Sequence, residues 1–238
     1  RSGLDGLLLA IERCSQAVLG SEVLCAVGAT IPGLTDAVNG LWVYAPFSGL
    51  ANIPIAALLQ ERFQLPVAIE NDVNACALAE RRWGTCQTIG DYLWMTVSNG
   101  VGGALVLRNA LYTGACGNAG EVGHLCVEED AHKALLCGCG RHGCLEAMAS
   151  GQGIMKRYGE PGVTAKEIGL RARAGEAKAL TVMADTGRYL GRAIADCINV
   201  LNPAAVILGG GVTLDFDMLE PALREADRKS TRLNSSHG

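Results

Sequence analysis

The chain lacks an excess of basic charge. Lys and Arg number 20 against 24 Asp and Glu, a net of −4. That balance argues against a surface built to neutralise a phosphate backbone, because such domains are usually basic. Long apolar runs are missing too. Stretches such as Leu7–Ile11 and Ala204–Leu208 fall far short of the roughly 20 residues needed to cross a bilayer. No basic start leads into an apolar stretch, so neither a membrane span nor a secretory signal is expected. Internal repeats and low-complexity linkers are also absent. What remains is 49% hydrophobic and 18% charged over 238 residues. This is an ordinary globular composition, long enough to bury one large core or two modest ones.

Both edges are unusual. Residue 1 is Arg1, and a helical pattern (Leu4, Leu7, Leu8, Ile11, Val18) starts almost at once, so the chain is expected to begin inside a longer protein. At the other edge, 229–238 reads Lys-Ser-Thr-Arg-Leu-Asn-Ser-Ser-His-Gly, polar and without periodicity. It resembles a vector or sequencing-adapter scar and is set aside from fold reasoning; a native polar tail is the alternative.

Ten cysteines are many for this length. Cys14, Cys25, Cys76, Cys86 and Cys197 stand singly among apolar neighbours, where a cysteine acts as a small hydrophobe. Without a secretory signal, free thiols in a reducing cytosol are expected rather than a disulfide framework. Cys137, Cys139 and Cys144 differ. They sit in Cys-Gly-Cys-Gly-Arg-His-Gly-Cys, where the glycines let the backbone turn tightly enough to converge three sulfurs.

Strand and helix patterns alternate, which argues for an α/β fold. Helices are expected over Leu4–Val18, from Pro54 through Phe63, over Val73–Trp83, from about Leu145, and over Lys178–Leu201. Strands are expected over Val23–Val27, Pro66–Glu70, Asp91–Ser98, Gly103–Arg108 and Ala204–Leu208, the last one buried. Asn99-Gly100 marks the turn of a hairpin. The boundary between two α/β lobes is placed near Gly84–Gly90, giving a first lobe over 1–89 and a second over 90–228.

Four groups of residues carry chemistry. Zinc takes four soft or borderline ligands in a tetrahedron, and Cys137, Cys139 and Cys144 supply three at metal-site spacing. The fourth is His124, in Gly120-Glu-Val-Gly-His124 beside a Gly-rich stretch, or His142 inside the knuckle, where the geometry is cramped. Metal-free reduced cysteines are the plainer reading. The second group is Ile69-Glu-Asn-Asp-Val-Asn74, at the C-terminal end of a strand, the edge where open α/β sheets bind ligands. Asn71 can donate and accept hydrogen bonds to a polyol, and Asp72 can take a proton from a hydroxyl. Either could equally cap the following helix. Third are the clusters Asn99-Gly100-Val-Gly102-Gly103 and Gly209-Gly210-Gly211, able to cradle phosphate or admit a flat base, or simply to make a turn and a helix entry. Last come Glu121 and Glu146, each beside a proposed metal ligand; as isolated glutamates they would be solvated surface charges.

Three segments together resemble the ROK family (repressors, open reading frames and sugar kinases). They are Gly117-Asn-Ala-Gly-Glu-Val-Gly-His124, Cys137-Gly-Cys-Gly-Arg-His-Gly-Cys-Leu-Glu146 and Leu201-Asn-Pro-Ala-Ala-Val-Ile-Leu-Gly-Gly-Gly-Val212. The match runs from about Val23 to Val212. The resemblance implies an incomplete actin-like, hexokinase-like (ribonuclease H-like) fold of two lobes holding sugar and ATP. It makes Asp72 the catalytic base and places Asn71, Glu121, His124 and Glu146 on sugar hydroxyls. It assigns Asn99, Gly100, Gly102 and Gly103 to a phosphate loop and Gly209, Gly210 and Gly211 to the nucleotide. His124, Cys137, Cys139 and Cys144 would hold structural zinc, with one histidine ring nitrogen for metal and one for sugar. The implied reaction is phosphorylation of a hexose or N-acetylhexosamine 6-hydroxyl by ATP with Mg²⁺, by a cytoplasmic protein that is a homodimer when full length. The rival is the sugar-sensing domain of a repressor, with nucleic acid bound by a segment ahead of this one. An Asp-x-Gly-Gly-Thr phosphate loop that the family carries earlier is not in this sequence, so the chain alone is expected to lack kinase turnover. Ser98-Asn-Gly100 stands where the family often has Gly-Thr-Gly.

Overall fold

A computed structural model describes residues 2–19, 23–45 and 48–231. The chain divides into two compact units, residues 1–75 and 76–238.

The first unit opens with α1 (Ser2–Leu19), then β1 (Val27–Ile31), β2 (Leu34–Asp36), β3 (Leu41–Ala45) and β4 (Leu50–Ile53). It closes with α2 (Ile55–Phe63), β5 (Val67–Asn71) and the start of α3 (Asp72–Trp83). Strands β1 and β5 pair in parallel, Val27 opposite Val67 through Ile31 opposite Asn71. Strands β2, β3 and β4 form an antiparallel meander to which the sequence patterns gave no sign. Leu8, Ile31, Trp42, Ile55, Leu59 and Ile69 make the core; the apolar stripe of α1 supplies Leu4, Leu8 and Ile11 to it. The Trp42 indole N–H donates to the Pro32 carbonyl at 2.8 Å.

The strand expected over Val23–Val27 is displaced. Residues 23–26 hold no regular structure, and β1 starts at Val27. Its ladder begins where its partner can answer: Val27 N–H donates to the Pro66 carbonyl at 2.9 Å, and Pro66, lacking an N–H, cannot donate in return. Pro54 stands just before α2, at its cap, not inside its first turn.

The second unit holds the rest of α3, then β6 (Tyr92–Val97), β7 (Val101–Leu107) and β8 (Ala110–Tyr112). After a 3-10 turn at Val122–His124 come α4 (Leu145–Ala149), α5 (Gly151–Tyr158), α6 (Ala165–Arg173), α7 (Ala177–Leu201), β9 (Ala205–Gly209) and α8 (Phe216–Thr231). The sheet order is β8-β7-β6-β9, with β9 parallel to β6. Period-2 alternation in β6 points Leu93, Met95 and Val97 into a core with Leu145 and Met148 of α4 and Leu190 and Ile194 of α7. Tyr92, on the other face, donates its hydroxyl proton to the Ala77 carbonyl at 2.7 Å. Helices α7 and α8 approach closely because Gly187 and Gly191 face the Leu219 and Leu223 carbonyls, where a Cβ would overlap.

Three expectations shift here. The division falls inside α3, after Ala75, not at Gly84–Gly90; Gly90 belongs to the second unit, its carbonyl accepting from Asn109 N–H at 2.8 Å. The helix expected from Leu145 breaks at Ser150, whose hydroxyl caps α5 by accepting from Gly153 N–H. Strand β9 is half-buried along its length rather than buried, because among the described residues it pairs on one side only. Of the segment set aside at the C-terminus, 229–231 close α8 and 232–238 lie outside the described residues.

Candidate functional site

In the first unit the junction of β5 and α3 settles which residue caps the helix. Asn71 Oδ1 accepts from Val73 N–H at 2.9 Å and Asn74 N–H at 3.1 Å, the cap geometry. Its Nδ2 donates to the Gly33 carbonyl at 3.0 Å, so Asn71 also ties down the loop after β1. Glu70 Oε1 accepts from Asn71 N–H and from Asn74 Nδ2. Asp72 is therefore released from capping. Its Oδ1 accepts from Val73 N–H at 3.1 Å, while Oδ2 has no hydrogen-bond partner among the described residues. A carboxylate in the first turn is stabilised by the helix dipole, and this one is half-buried with an oxygen to offer.

In the second unit, one ligand atom each from His124, Cys137, Cys139 and Cys144 lies within 4.8 Å of all the others. His124 Nδ1 is 3.6 Å from Cys137 Sγ, and Cys139 Sγ is 3.6 Å from Cys144 Sγ. His142 is exposed and stands outside the group. Local geometry explains the convergence. Cys137 N–H donates to Arg141 O and Gly140 N–H returns to Cys137 O, and Gly140 and Gly143 both take positive φ (86° and 74°). Gly143 also packs against the Glu128 carbonyl, where a Cβ would overlap. His124 comes from the separate 3-10 turn, held by Arg141 donating to its carbonyl at 2.9 Å. Burial raises the Cys137 thiol and pushes Cys144 up to about 12. The Arg141 backbone N–H, and then its guanidinium, pull exposed Cys139 down to about 6. Three thiols and one imidazole at these separations suit tetrahedral zinc.

The two glutamates flank this cluster. Glu121 Oε2 is 3.8 Å from His124 Nε2, the ring nitrogen turned away from Cys137. Glu146 Oε1 is 4.0 Å from Cys137 Sγ, and its Oε2 accepts from Val101 N–H at 3.1 Å. Glu146 thereby fastens the knuckle to the β6–β7 turn.

That turn is Ser98–Gly100, shorter than the phosphate-loop stretch read from the sequence, because Val97 pairs with Val101. Gly102 and Gly103 consequently lie in β7, and a Cβ on Gly103 would sit 2.7 Å from Gly120 O. Gly209 ends β9 under the Trp94 ring, 2.6 Å from where its Cβ would be. Gly210 takes φ 100°, and Gly211 starts a 3-10 turn. Asn99 and Gly211 meet at a pocket of about 530 Å³, also lined by Thr164, Lys166, Arg173 and Asp215. Arg173 pairs with Asp215 and, at 2.6 Å, with Asp217. These pocket residues were not read from the sequence. The one available signal was Thr164-Ala-Lys-Glu167, an N-cap pattern in which Thr164 Oγ1 accepts from Glu167 N–H at 3.2 Å.

The described residues thus combine a mixed α/β fold with a Cys₃His cluster beside its glycine turns. The ROK family model matches residues 5–235, and the chain belongs to the ROK family. It is 34% identical over 219 residues to a glucokinase of Halalkalibacterium halodurans, covering 85% of this chain and 66% of that protein. Among solved structures it is similar to a ROK family transcriptional regulator, a homolog of the E. coli MLC protein (TM-score 0.85, 30% identity, covering 95% of this chain and 60% of that one). It is also similar to a ROK family glucokinase from Streptomyces griseus in complex with glucose and AMPPNP (TM-score 0.82, 29% identity, covering 96% and 78%). The chain spans about half to two thirds of the length of the curated relatives it matches. No helix among the described residues is long and apolar enough to cross a membrane.

Proposed function

We propose that this chain is the sugar- and nucleotide-handling part of an ATP-dependent kinase acting on the 6-hydroxyl of a hexose or N-acetylhexosamine. The observation that carries the reading is Asp72. With Asn71 capping α3, the Asp72 carboxylate keeps one oxygen free at the C-terminal edge of β5, the position of a general base. In this reading the sugar hydroxyl gives its proton to Asp72, and its oxygen attacks the γ-phosphorus of ATP. The bond to the bridging oxygen breaks and ADP leaves. Asn71, Glu121, His124 and Glu146 take sugar hydroxyls. Asn99 and Gly100, in the β6–β7 turn, serve the phosphates, and Gly209, Gly210 and Gly211 the nucleotide. Mg²⁺, when bound, screens the phosphate charge. His124, Cys137, Cys139 and Cys144 would hold a structural zinc.

Asp72→Asn in the full-length protein keeps size and polarity but removes the proton acceptor. It is expected to lower kcat by about 10²–10⁴-fold with sugar affinity changed only a few-fold. Turnover at the wild-type rate would remove Asp72 as the base. The second reading, a sugar-sensing domain of a repressor, is favoured by the likeness to the MLC homolog. It predicts sugar binding by calorimetry with no ADP release from either form.

A further inference from the structure

Cys126 lies outside the four-residue cluster, and neither the proposed kinase chemistry nor the metal site uses it. Cys126 is exposed, whereas Cys144 is 1% exposed. The two residues stand directly opposite each other in a one-bridge antiparallel pairing. Val127 N–H donates to Gly143 O, and Leu145 N–H to Leu125 O, both at 2.8 Å. The bonds thus flank the cysteines, which form a non-hydrogen-bonded pair. Such pairs hold their Cα atoms about 4.5 Å apart with side chains on one face, inside the span of about 4.4–6.8 Å that a disulfide bridges. Cys126 Sγ lies 3.7 Å from the Glu128 carbonyl and 4.0 Å from the His142 carbonyl, the latter on the segment that carries Cys144. The register is pinned by Gly143, which alone lets that segment approach the Glu128 carbonyl.

We propose that Cys126 is a redox-modification site through which a small-molecule disulfide opens the knuckle, by forming a disulfide with Cys144. Cys144 is too buried to meet an oxidant, and Cys126 is not. The Cys126 thiolate attacks one sulfur of the oxidant, making a mixed disulfide and expelling one thiolate, which takes the Cys126 proton. The Cys144 sulfur then attacks Cys126 Sγ and expels the second thiolate, which takes up the Cys144 proton where Cys144 carries one. The protein pair loses two electrons and the oxidant gains them. Cys144 is lost as a ligand, so a metal held as proposed above loses one of four donors. The metal-release part of the inference rests on that reading; the disulfide does not.

The test treats the 238-residue chain with oxidised glutathione. Zinc content is measured beforehand, released zinc is followed with a chromogenic chelator, and disulfides are mapped by peptide mass spectrometry. The expected result is a Cys126–Cys144 peptide and loss of bound zinc, both reversed by a dithiol and both abolished in Cys126→Ser. A disulfide mapped to Cys139–Cys144, a glutathione adduct that stays on Cys126, or equal zinc release from Cys126→Ser overturns the proposal. Protein that carries no zinc at the outset refutes the metal reading alone, and the mapped disulfide still decides this one.

Discussion

Replacing Gly143 and Gly140 by alanine, one at a time, separates two costs that the knuckle imposes on its backbone. Both glycines have positive φ, 74° and 86°, so either alanine carries the left-handed strain of about 1 kcal/mol. At Gly140 nothing lies within 4 Å of the new Cβ, and the cost ends there. At Gly143 the Cβ overlaps the Glu128 carbonyl oxygen. Moving that carbonyl disturbs the two N–H groups, of Val127 and Glu128, that donate to Gly143 O at 2.8 and 3.2 Å. Each such bond is worth about 0.5–1.5 kcal/mol. Gly143→Ala should therefore cost about 2 kcal/mol or more beyond Gly140→Ala, a further fall in Tm of about 4–8 °C at this chain length. Where zinc binding needs the same loop, affinity should drop by about 30-fold more. Thermal unfolding followed by circular dichroism, with competitive chelation for the metal, reads both. Equal effects of the two alanines would show that the Glu128 contact does not hold the knuckle.

Two further outcomes follow from the same geometry. Asn71→Ala removes the acceptor for Val73 and Asn74 N–H and the donor to Gly33 O, and should cost about 1–2 kcal/mol. Asn71→Asp keeps the cap and should cost less, so equal losses in calorimetric unfolding would refute the cap assignment. Zinc binding at neutral pH should release about two protons, because Cys137 and Cys144 are raised by burial and protonated without metal, whereas Cys139, at about 6, is mostly thiolate already. Affinity should weaken as pH falls; titrations in buffers of differing ionisation enthalpy that give no proton release would contradict this order of thiol acidities.

Local chemistry made much of this protein legible from its residues. Gly140 and Gly143, between Cys137 and Cys144, take the positive φ values that a side chain resists. The pattern of Ala177–Leu201 is a helix because its apolar face repeats at helical period. The hairpin of β6 and β7 does turn around Asn99-Gly100, through the three residues Ser98–Gly100, but neither Asn99 nor Gly100 takes the positive φ of a two-residue Asn-Gly turn. Tertiary structure decided what those local rules leave degenerate. His124 and His142 are both near the cysteines in sequence, and the folding back of the 3-10 turn brings His124, not His142, into their group. Asn71 and Asp72 could each cap α3, and the choice falls to Asn71 because its amide also reaches the Gly33 carbonyl across the unit. The start of β1 depends on Pro66, which is distant in sequence. The pocket at Asn99 gathers Thr164, Arg173 and Asp215 from separate elements. Period and turn type are properties of a few neighbouring residues, whereas pairing partners and converging side chains are chosen by what the whole core can bury.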